Sequence, residues 1–282
     1  MRHEPNPHPM QPGPTTPLFS IVTPAFRAQR WIPELLASLA AQSCGDYELV
    51  IAPDDGLDYT RFGVDPRVRV LARTAVASGE SRARNEAVAA SRGTYIVMLD
   101  ADDLLAPDYL EAFHAHFAAT GDAAAMAPTE VFDGDGWTRL CGSGGSTMDV
   151  QALAWTLASV HVVCRRDVHR AWDEDCVFGQ DILRDASILS VAGSLAVVDT
   201  RYRLRLHDGQ MTARVGDESQ VRAEYRRLRG LSVPSDVAEL FAIRESANRF
   251  YERFRRPGEH WYRFFDRLEA AGSVAQERVR SA

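Results

Sequence analysis

Lysine is absent from this sequence of 282 residues, in which all 32 basic residues are arginines. The absence excludes several chemistries, because a Walker A phosphate loop, a pyridoxal-phosphate enzyme and a protein kinase each require a lysine at the phosphate or cofactor. Basic residues are also fewer than the 39 acidic ones, which gives a formal net charge of −7. Such a chain lacks the cationic surface that duplex nucleic acid requires, so we expect no nucleic-acid partner.

Cysteines and long apolar runs are also scarce. Cys44, Cys141, Cys164 and Cys176 form no C-x-x-C pair, which indicates neither a zinc site nor a disulfide framework and fits a reducing compartment. No stretch approaches the roughly 18 apolar residues of a membrane span, and residues 1–17 are a proline-rich leader without an apolar segment. We therefore expect a cytoplasmic protein whose leader is disordered.

Short apolar runs alternate with helical patterns from residue 18 onward. Runs at 19–22, 47–51, 68–71 and 95–99 have the length of strands, and residues 31–41 and 81–91 have helical spacing between them. Gly93 follows the second helical segment in the position of a C-terminal cap. Strands that are almost wholly apolar are covered on both faces, so the pattern predicts an α/β fold with a mostly parallel, Rossmann-like sheet and helices on both faces.

Polar residues gather where three of these strands end. Thr23 follows the first strand, Asp54 and Asp55 follow the second, and Asp100 and Asp102 follow the fourth. Ligands of such sheets bind beyond the carboxyl ends of the strands. A single loop aspartate is equally well explained as a turn former or helix N-cap. Converging carboxylates, however, repel one another unless a cation intervenes, and Mg²⁺ or Mn²⁺ combines carboxylates with phosphate oxygens. With no G-x-G-x-x-G after the first strand, the pattern favours a nucleoside diphosphate over a dinucleotide.

Two continuous runs carry a resemblance to a known family. Residues 79–85 read Gly-Glu-Ser-Arg-Ala-Arg-Asn, and residues 93–103 end in Leu-Asp-Ala-Asp-Asp. Together with residues 20–26, 53–56, 179–183 and 202–207, they resemble the inverting family 2 glycosyltransferases, which have the GT-A fold. The resemblance implies a GT-A catalytic domain over 18–215, with a nucleotide-sugar-binding half at 18–120 and an acceptor-side half at 121–215.

The resemblance also implies roles for the residues that match. Asp100 and Asp102 match the D-x-D motif, in which Asp102 holds a divalent cation, Mn²⁺ or Mg²⁺, and Asp100 lies toward the ribose. Asp181 matches the catalytic base, which takes the proton of an acceptor hydroxyl and leads to an inverted anomeric centre. His207 is a further metal candidate, and a half-exposed strand histidine is the equal alternative. The remaining nucleotide-sugar contacts implied are Thr23, Pro24, Phe26, Asp54, Asp55, Arg84, Asn85 and Ala101.

The sequence departs from the family pattern in three places. Gln180 stands where a glutamate commonly precedes the base, Leu57 where a serine follows Asp-Asp-Gly, and Ala87 where a glycine follows Arg-Asn. Gln180 removes a like charge beside Asp181. A turn or N-cap role for Asp181 is the alternative that would remove the base.

Residues 216–282 are predicted to form a helical extension, broken by Pro234 and by Pro257-Gly258. From 241 to 282 there are nine arginines against six acidic residues, a local charge of +3, interleaved with aromatics. One interpretation, which we favour, packs the aromatic stripe on the catalytic domain. The other seats the extension on an anionic membrane surface at the inner face of the membrane, where lipid-linked acceptors occur.

The leading hypothesis is therefore a metal-dependent, inverting hexosyltransferase. It would move a sugar from a nucleotide-sugar, UDP-linked by family frequency, to a hydroxyl of a glycan, lipid-linked or small-molecule acceptor in polysaccharide, glycolipid or other glycoconjugate biosynthesis. A nucleotidyltransferase is disfavoured because the Gly-rich opening loop and lysines of such enzymes are absent. The second hypothesis is a non-catalytic sugar-nucleotide-binding or scaffold protein on the same fold, for which Gln180 is the hint.

Overall fold

The computed structural model describes residues 16–72, 76–142, 144–158, 160–208, 218–270 and 279. The predicted leader falls almost wholly outside this part, and so does the predicted boundary at 216. Within the described residues, the strands are β1 Phe19–Ala25, β2 Tyr47–Pro53, β3 Val68–Val70, β4 Tyr95–Met98, β5 Leu104–Leu105, β6 Ala124–Ala127, β7 Thr129–Phe132, β8 Thr138–Cys141, β9 Thr147–Met148, β10 His161–Arg165, β11 Leu195–Val197 and β12 Tyr202–Arg205. The helices are α1 Ile32–Ala40, α2 Glu80–Ala90, α3 Tyr109–Thr120, α4 Val150–Thr156, α5 Gln180–Ala192, α6 Glu218–Arg229, α7 Ser235–Phe254 and α8 Trp261–Ala270.

An eight-stranded sheet in the order β3-β2-β1-β4-β10-β6-β11-β9 forms the centre of the molecule. The strands β1 to β4 are parallel to one another, whereas β10 runs antiparallel to both β4 and β6. Alternate residues of β1 face opposite sides: Ile21 packs in the cluster that contains α1 and α3, and Val22 packs in the cluster that contains Ala83 and Ala87 of α2. Helices therefore cover both faces, and the predicted α/β class is confirmed.

Four further strands form a second sheet in the order β5-β12-β7-β8, and β5 belongs to the segment that follows β4. In this sheet β12 is antiparallel to β5, with Arg203 opposite Leu104. The chain after β12 consequently runs back alongside residues 100–103. Strand β12 ends at Arg205, so His207 lies beyond the strand on which the sequence pattern placed it.

Gly93 has a different role from the helix cap that the sequence predicts. Helix α2 ends at Ala90 with Ser91 as its C-cap. Gly93 instead lies against β1, where a Cβ atom would come within 2.6 Å of the Ser20 backbone nitrogen. Its N–H donates to Ser20 Oγ at 2.7 Å. The close approach of the two backbone segments requires a glycine here, and the local sequence pattern does not reveal this contact.

The three C-terminal helices pack on the rest of the molecule through their apolar faces. Phe241 of α7 belongs to a core cluster with residues of α4, α5 and α6. Phe264 and Phe265 of α8 are buried against Leu157 and Phe250, so the aromatic stripe is used in packing. No helix among the described residues is both long and apolar enough to span a membrane. Membrane contact through the arginines of this region stays a prediction.

Candidate active site

The ends of β1, β2 and β4 meet at one edge of the sheet because these strands are parallel neighbours. Thr23 and Pro24 are buried at the end of β1, and the Oγ1 atom of Thr23 has no hydrogen-bond partner in the described part of the chain. Phe26, in the loop that follows, is 45% exposed. The edge thus combines an apolar ring open to solvent with a fully buried hydroxyl.

Asp54 closes a loop between β2 and α2. Its carboxylate accepts hydrogen bonds from Ser78 N at 3.0 Å, Ser78 Oγ at 2.7 Å and Gly79 N at 2.9 Å. The residue is 4% exposed. A carboxylate that accepts backbone N–H groups is well satisfied when buried. Asp54 therefore fixes the residues that begin α2.

Asp55 closes a second loop, between β1 and α1. It accepts hydrogen bonds from Arg27 N at 2.5 Å, Leu57 N at 2.9 Å and the Tyr59 hydroxyl at 2.9 Å. Arg27 has a positive φ of 55°, a strained conformation for an arginine, and its N–H is held by this contact. Asp55 thereby shapes the loop that presents Phe26.

The D-x-D segment has a different environment. Arg84 of α2, 2% exposed, donates from Nη2 to Asp100 Oδ1 at 2.7 Å and to Glu80 Oε1 at 2.6 Å. Burial acts to raise the pKa of Asp100, but the adjacent Arg84 guanidinium outweighs it and holds this pKa below its usual range. The Nε and Nη1 atoms of Arg84 have no hydrogen-bond partner in the described part of the chain.

The side chains of Asp102 and His207 are in contact, with His207 Nε2 2.8 Å from Asp102 Oδ2. Ala101 between the two aspartates is buried. Arg205 donates from Nε to the Asp102 carbonyl at 2.9 Å and from Nη2 to Glu34 at 2.7 Å. The second sheet thus places a histidine beside the second aspartate of the motif.

Asp103 anchors this arrangement. It accepts hydrogen bonds from the Tyr202 hydroxyl at 2.8 Å and from Arg205 N at 2.7 Å. Burial, reinforced by the charges of Asp102 and Asp100, raises the pKa of Asp103 well above its usual value. The residue ties the D-x-D loop to β12 and is not a helix cap, since α3 begins after Asp108.

Asp102 and His207 fit a divalent cation. The two side chains are 28% and 14% exposed, and they offer a carboxylate oxygen and an imidazole nitrogen side by side. With one carboxylate oxygen and one imidazole nitrogen, this partly open pair would leave most coordination positions of Mn²⁺ or Mg²⁺ to phosphate and water oxygens. Asp102 and His207 are two ligands only; the group of three potential ligands found among the described residues lies elsewhere, where Cys44 is near Glu111 and His114 of α3.

Asp181 is the second residue of α5, and the N-cap of that helix is Gly179. This excludes the N-cap alternative for Asp181. Gly179 has a φ of 80°, and a Cβ atom there would lie 3.3 Å from the Tyr225 ring, so glycine is required for the entry into the helix. In the first turn of a helix a carboxylate is stabilised by the helix dipole.

Glu80 links these carboxylates, and the sequence pattern gave it no role. Burial raises the pKa of Glu80 to about 7; the charges of Asp100, Asp181 and Asp102 act in the same direction and that of Arg84 opposes them. Aspartates from the end of β4 and from the start of α5 therefore share one electrostatic neighbourhood. The signal was present in the run 79–85, where Glu80 is the acid at the start of the helix that carries Arg84.

The predicted contact Asn85 and two arginines of β12 form hydrogen bonds and ion pairs with the protein itself. Asn85 donates to Trp172 O at 2.9 Å and accepts from Trp172 N at 3.0 Å, so its amide braces the segment after β10. Arg203 is paired with Glu130 at 2.6 Å. Together with Arg205, which is paired with Glu34, these side chains hold the walls of the site together.

His161 is a further residue that sequence reasoning missed. It is 2% exposed, its ring lies 3.8 Å from that of Tyr202, and neither ring nitrogen has a hydrogen-bond partner in the described residues. Burial lowers the pKa of His161 to about 4, against the opposing charges of Asp100 and Asp181. The one signal was a polar residue at the start of an otherwise apolar strand.

Comparison with known proteins identifies the family. The profile of glycosyl transferase family 2 matches residues 20–158. The "UDP-Glc:alpha-D-GlcNAc-diphosphoundecaprenol beta-1,3-glucosyltransferase WfgD" of Escherichia coli is 35% identical over 98 residues, which are 33% of this chain and 38% of that protein. The chondroitin synthase of Pasteurella multocida (strain Pm70) is 36% identical over 101 residues, 34% of this chain and 10% of that protein. The matched region thus spans well under half the length of these curated relatives.

The fold is shared with a solved structure. The crystal structure of S. aureus TarS 1-349 in complex with UDP-GlcNAc superimposes with a TM-score of 0.60 at 17% identity, covering 85% of this chain and 74% of that one. At this identity the likeness establishes the fold alone, and it confirms the predicted GT-A architecture. Through residues 20–158, the chain belongs to glycosyl transferase family 2.

Proposed function

We propose that this protein is a metal-dependent, inverting glycosyltransferase that moves a sugar from a UDP-linked donor to an acceptor hydroxyl in polysaccharide or glycoconjugate biosynthesis. The name of the E. coli relative contains UDP-Glc and a diphosphoundecaprenol-linked acceptor, and TarS has been crystallised with UDP and with UDP-GlcNAc. These relatives support a uridine nucleotide as the donor and a lipid-linked or glycan acceptor. We propose that Thr23, Pro24, Phe26 and Ala101 border the nucleoside.

One observation carries the proposal. Asp100, at the end of β4, is linked by hydrogen bonds of 2.6 to 2.7 Å through Arg84 and Glu80 to Gln180, the residue that directly precedes Asp181 in α5. Asp100 and Asp181 lie far apart in the sequence. Their convergence gives one site both a place for a diphosphate and a carboxylate that can accept a proton.

The chain's own residues account for the transfer. We propose that Asp102 and His207 hold the cation, which when bound would neutralise charge on the departing diphosphate. The Asp181 carboxylate accepts the proton of the acceptor hydroxyl as that oxygen forms its bond to the anomeric carbon. The bond from this carbon to the diphosphate oxygen breaks on the opposite face, so the anomeric centre is inverted. Arg84 and Asp100 fix the donor side while this occurs.

The experiment has a binding arm and a transfer arm. Calorimetric titration of UDP, GDP and dTDP, with and without Mn²⁺, should show binding of UDP that depends on the metal. Asp181→Asn should leave that binding within about twofold and lower the transfer rate by about 10² to 10⁴, the usual contribution of a general base.

Asp199→Asn is the matched control, because the Asp199 side chain is 97% exposed and pairs with Arg201 outside the site. Metal-dependent binding without transfer in the wild type would instead favour the non-catalytic sugar-nucleotide-binding hypothesis. No binding of any diphosphate would overturn the proposal.

A further inference from the structure

Glu80 is shared between two helices that come from different halves of the chain. It is the first residue of α2, and its Oε1 atom accepts a hydrogen bond from Arg84 Nη2 at 2.6 Å. Its Oε2 atom accepts one from Gln180 Nε2 at 2.6 Å. Gln180 is the first residue of α5 and directly precedes Asp181. A single carboxylate therefore joins the start of α5 to the arginine that holds Asp100.

The hydrogen bond between Gln180 and Glu80 requires an uncharged amide on one side and a carboxylate on the other. Gln180 is 4% exposed, and its Oε1 atom has no hydrogen-bond partner in the described residues, so the amide is oriented by what its Nε2 atom contacts. A carboxylate needs a donor here, and an amide supplies one without adding charge beside Asp181. Two carboxylates at 2.6 Å would repel each other unless they shared a proton.

We propose that Glu80 and Gln180 form a positioning pair that sets the distance between the base Asp181 and the donor-binding side of the site at Asp100. The inference rests on the proposed function. Glu80 and Gln180 act through their neighbours: Glu80 through Arg84, and Gln180 through the helix start that carries Asp181. A displaced base slows the transfer step, since misplacement of a reacting group by about 1 Å can lower a rate by about 10²-fold. Nucleotide binding, which uses the strand ends, is preserved.

The test is a reciprocal exchange of the two side chains. Gln180→Glu brings two carboxylates together, and we expect kcat to fall by about 10- to 100-fold while the KM for the donor and the affinity for UDP with Mn²⁺ stay within about twofold. The double variant Glu80→Gln with Gln180→Glu restores one acid and one amide. It should recover kcat to within about threefold of the wild type, which shows that the two residues act as a pair; a fall in kcat at unchanged KM and UDP affinity is what a merely structural role would not produce.

The single variant Glu80→Gln and the control variant Gln151→Glu are measured alongside these two proteins. Gln151 is an exposed residue of α4, so the same change of charge there should leave kcat unchanged. Two results would overturn the pairing while the proposed function stands. One is a Gln180→Glu variant with the kcat of the wild type. The other is a double variant whose kcat is no higher than the combined losses of the two single variants predict. If Gln180→Glu does not fold, the double variant tests the proposal instead. A double variant that folds and transfers sugar supports the pairing of Glu80 with Gln180, and one that does not overturns it. A wild type without transfer would overturn both proposals.

Discussion

Two acidic loops of this protein look alike in the sequence and differ in the structure. Asp54 and Asp102 each follow a buried, parallel strand at the same edge of the sheet. Asp54 is 4% exposed and accepts hydrogen bonds from the backbone of the loop before α2. Asp102 is 28% exposed and contacts the imidazole of His207. A carboxylate satisfied by backbone N–H groups builds the loop, whereas one held by side chains at the surface is available to a ligand.

Two glutamates extend the comparison through their pKa values. Glu48 accepts hydrogen bonds from Ser20 Oγ and from the backbone N–H groups of Arg92 and Gly93. Although burial acts to raise it, these contacts hold the pKa of Glu48 below its usual value. Burial raises the pKa of Glu80 to about 7, with other carboxylates adding to the shift. The environment of Glu48 thus favours its charged form, and that of Glu80 favours its neutral form.

The largest effect that separates the two loops is expected at Asp102. Asp102→Ala removes a proposed metal ligand, so the affinity for UDP in Mn²⁺ should fall on the order of 100-fold, with little change in the midpoint of thermal unfolding. Calorimetric titration and a thermal melt measure the two quantities. Asp199→Ala is the control. A large drop in the melting midpoint with unchanged affinity would mean that Asp102 belongs to the framework.

Asp54→Ala should show the reverse. It leaves the N–H groups of Ser78 and Gly79 without their buried acceptor, which we expect to lower the free energy of unfolding by about 2 kcal/mol. Urea unfolding checks this value. Asp58→Ala is a control in the same loop, since Asp58 is exposed and bonds to Thr60 within its own turn. Unchanged stability with lost nucleotide affinity would give Asp54 the nucleoside contact that the family resemblance implies.

A smaller effect is expected at Asp55, which is partly exposed. Asp55→Ala removes the acceptor of Arg27 N and should lower the free energy of unfolding by about 1 kcal/mol. Hydrogen exchange of the Arg27 amide should become faster because its acceptor is lost. Exchange at Ser43 N, which donates to the Pro107 carbonyl at 2.9 Å, away from Asp55, is the internal reference. Equal protection of the Arg27 amide in both proteins would contradict the role of Asp55.

The smallest effect is a difference in pH dependence between Glu48 and Glu80. The pKa of Glu48 is lowered by folding, so its contribution to stability is present above pH 4.5 and is lost as the pH falls through the lower folded value. The pKa of Glu80 is raised from 4.5 to about 7, so its contribution is fully present below pH 4.5 and is lost as the pH rises toward 7. Urea unfolding of Glu48→Gln and Glu80→Gln across this range should therefore give differences from the wild type with opposite slopes. Slopes of the same sign would contradict the assignment.

Much of the first half of the fold follows from the sequence because its signals are local. The strands β1, β2 and β4 are apolar runs, and the polar residues that end them are adjacent in the chain. The antiparallel entry of β10 and the second sheet were not predicted, since β5 has two residues and β12 four, too few for a periodic pattern. The partners of Asp54 and Asn85 were also hidden, because the first are backbone groups 24 and 25 positions away and the second is Trp172, 87 positions away.

The contacts that complete the site join residues far apart in the chain: Glu80 and Gln180 are 100 positions apart, and Asp102 and His207 are 105. Closing such long loops is a late, entropically unfavourable event in folding. Residues 20–158 carry the D-x-D motif but neither Asp181 nor His207. A nascent chain of that length would display the D-x-D motif without the proposed base and the proposed histidine ligand, so the proposed transfer activity would be acquired only after the second half has been synthesised and docked.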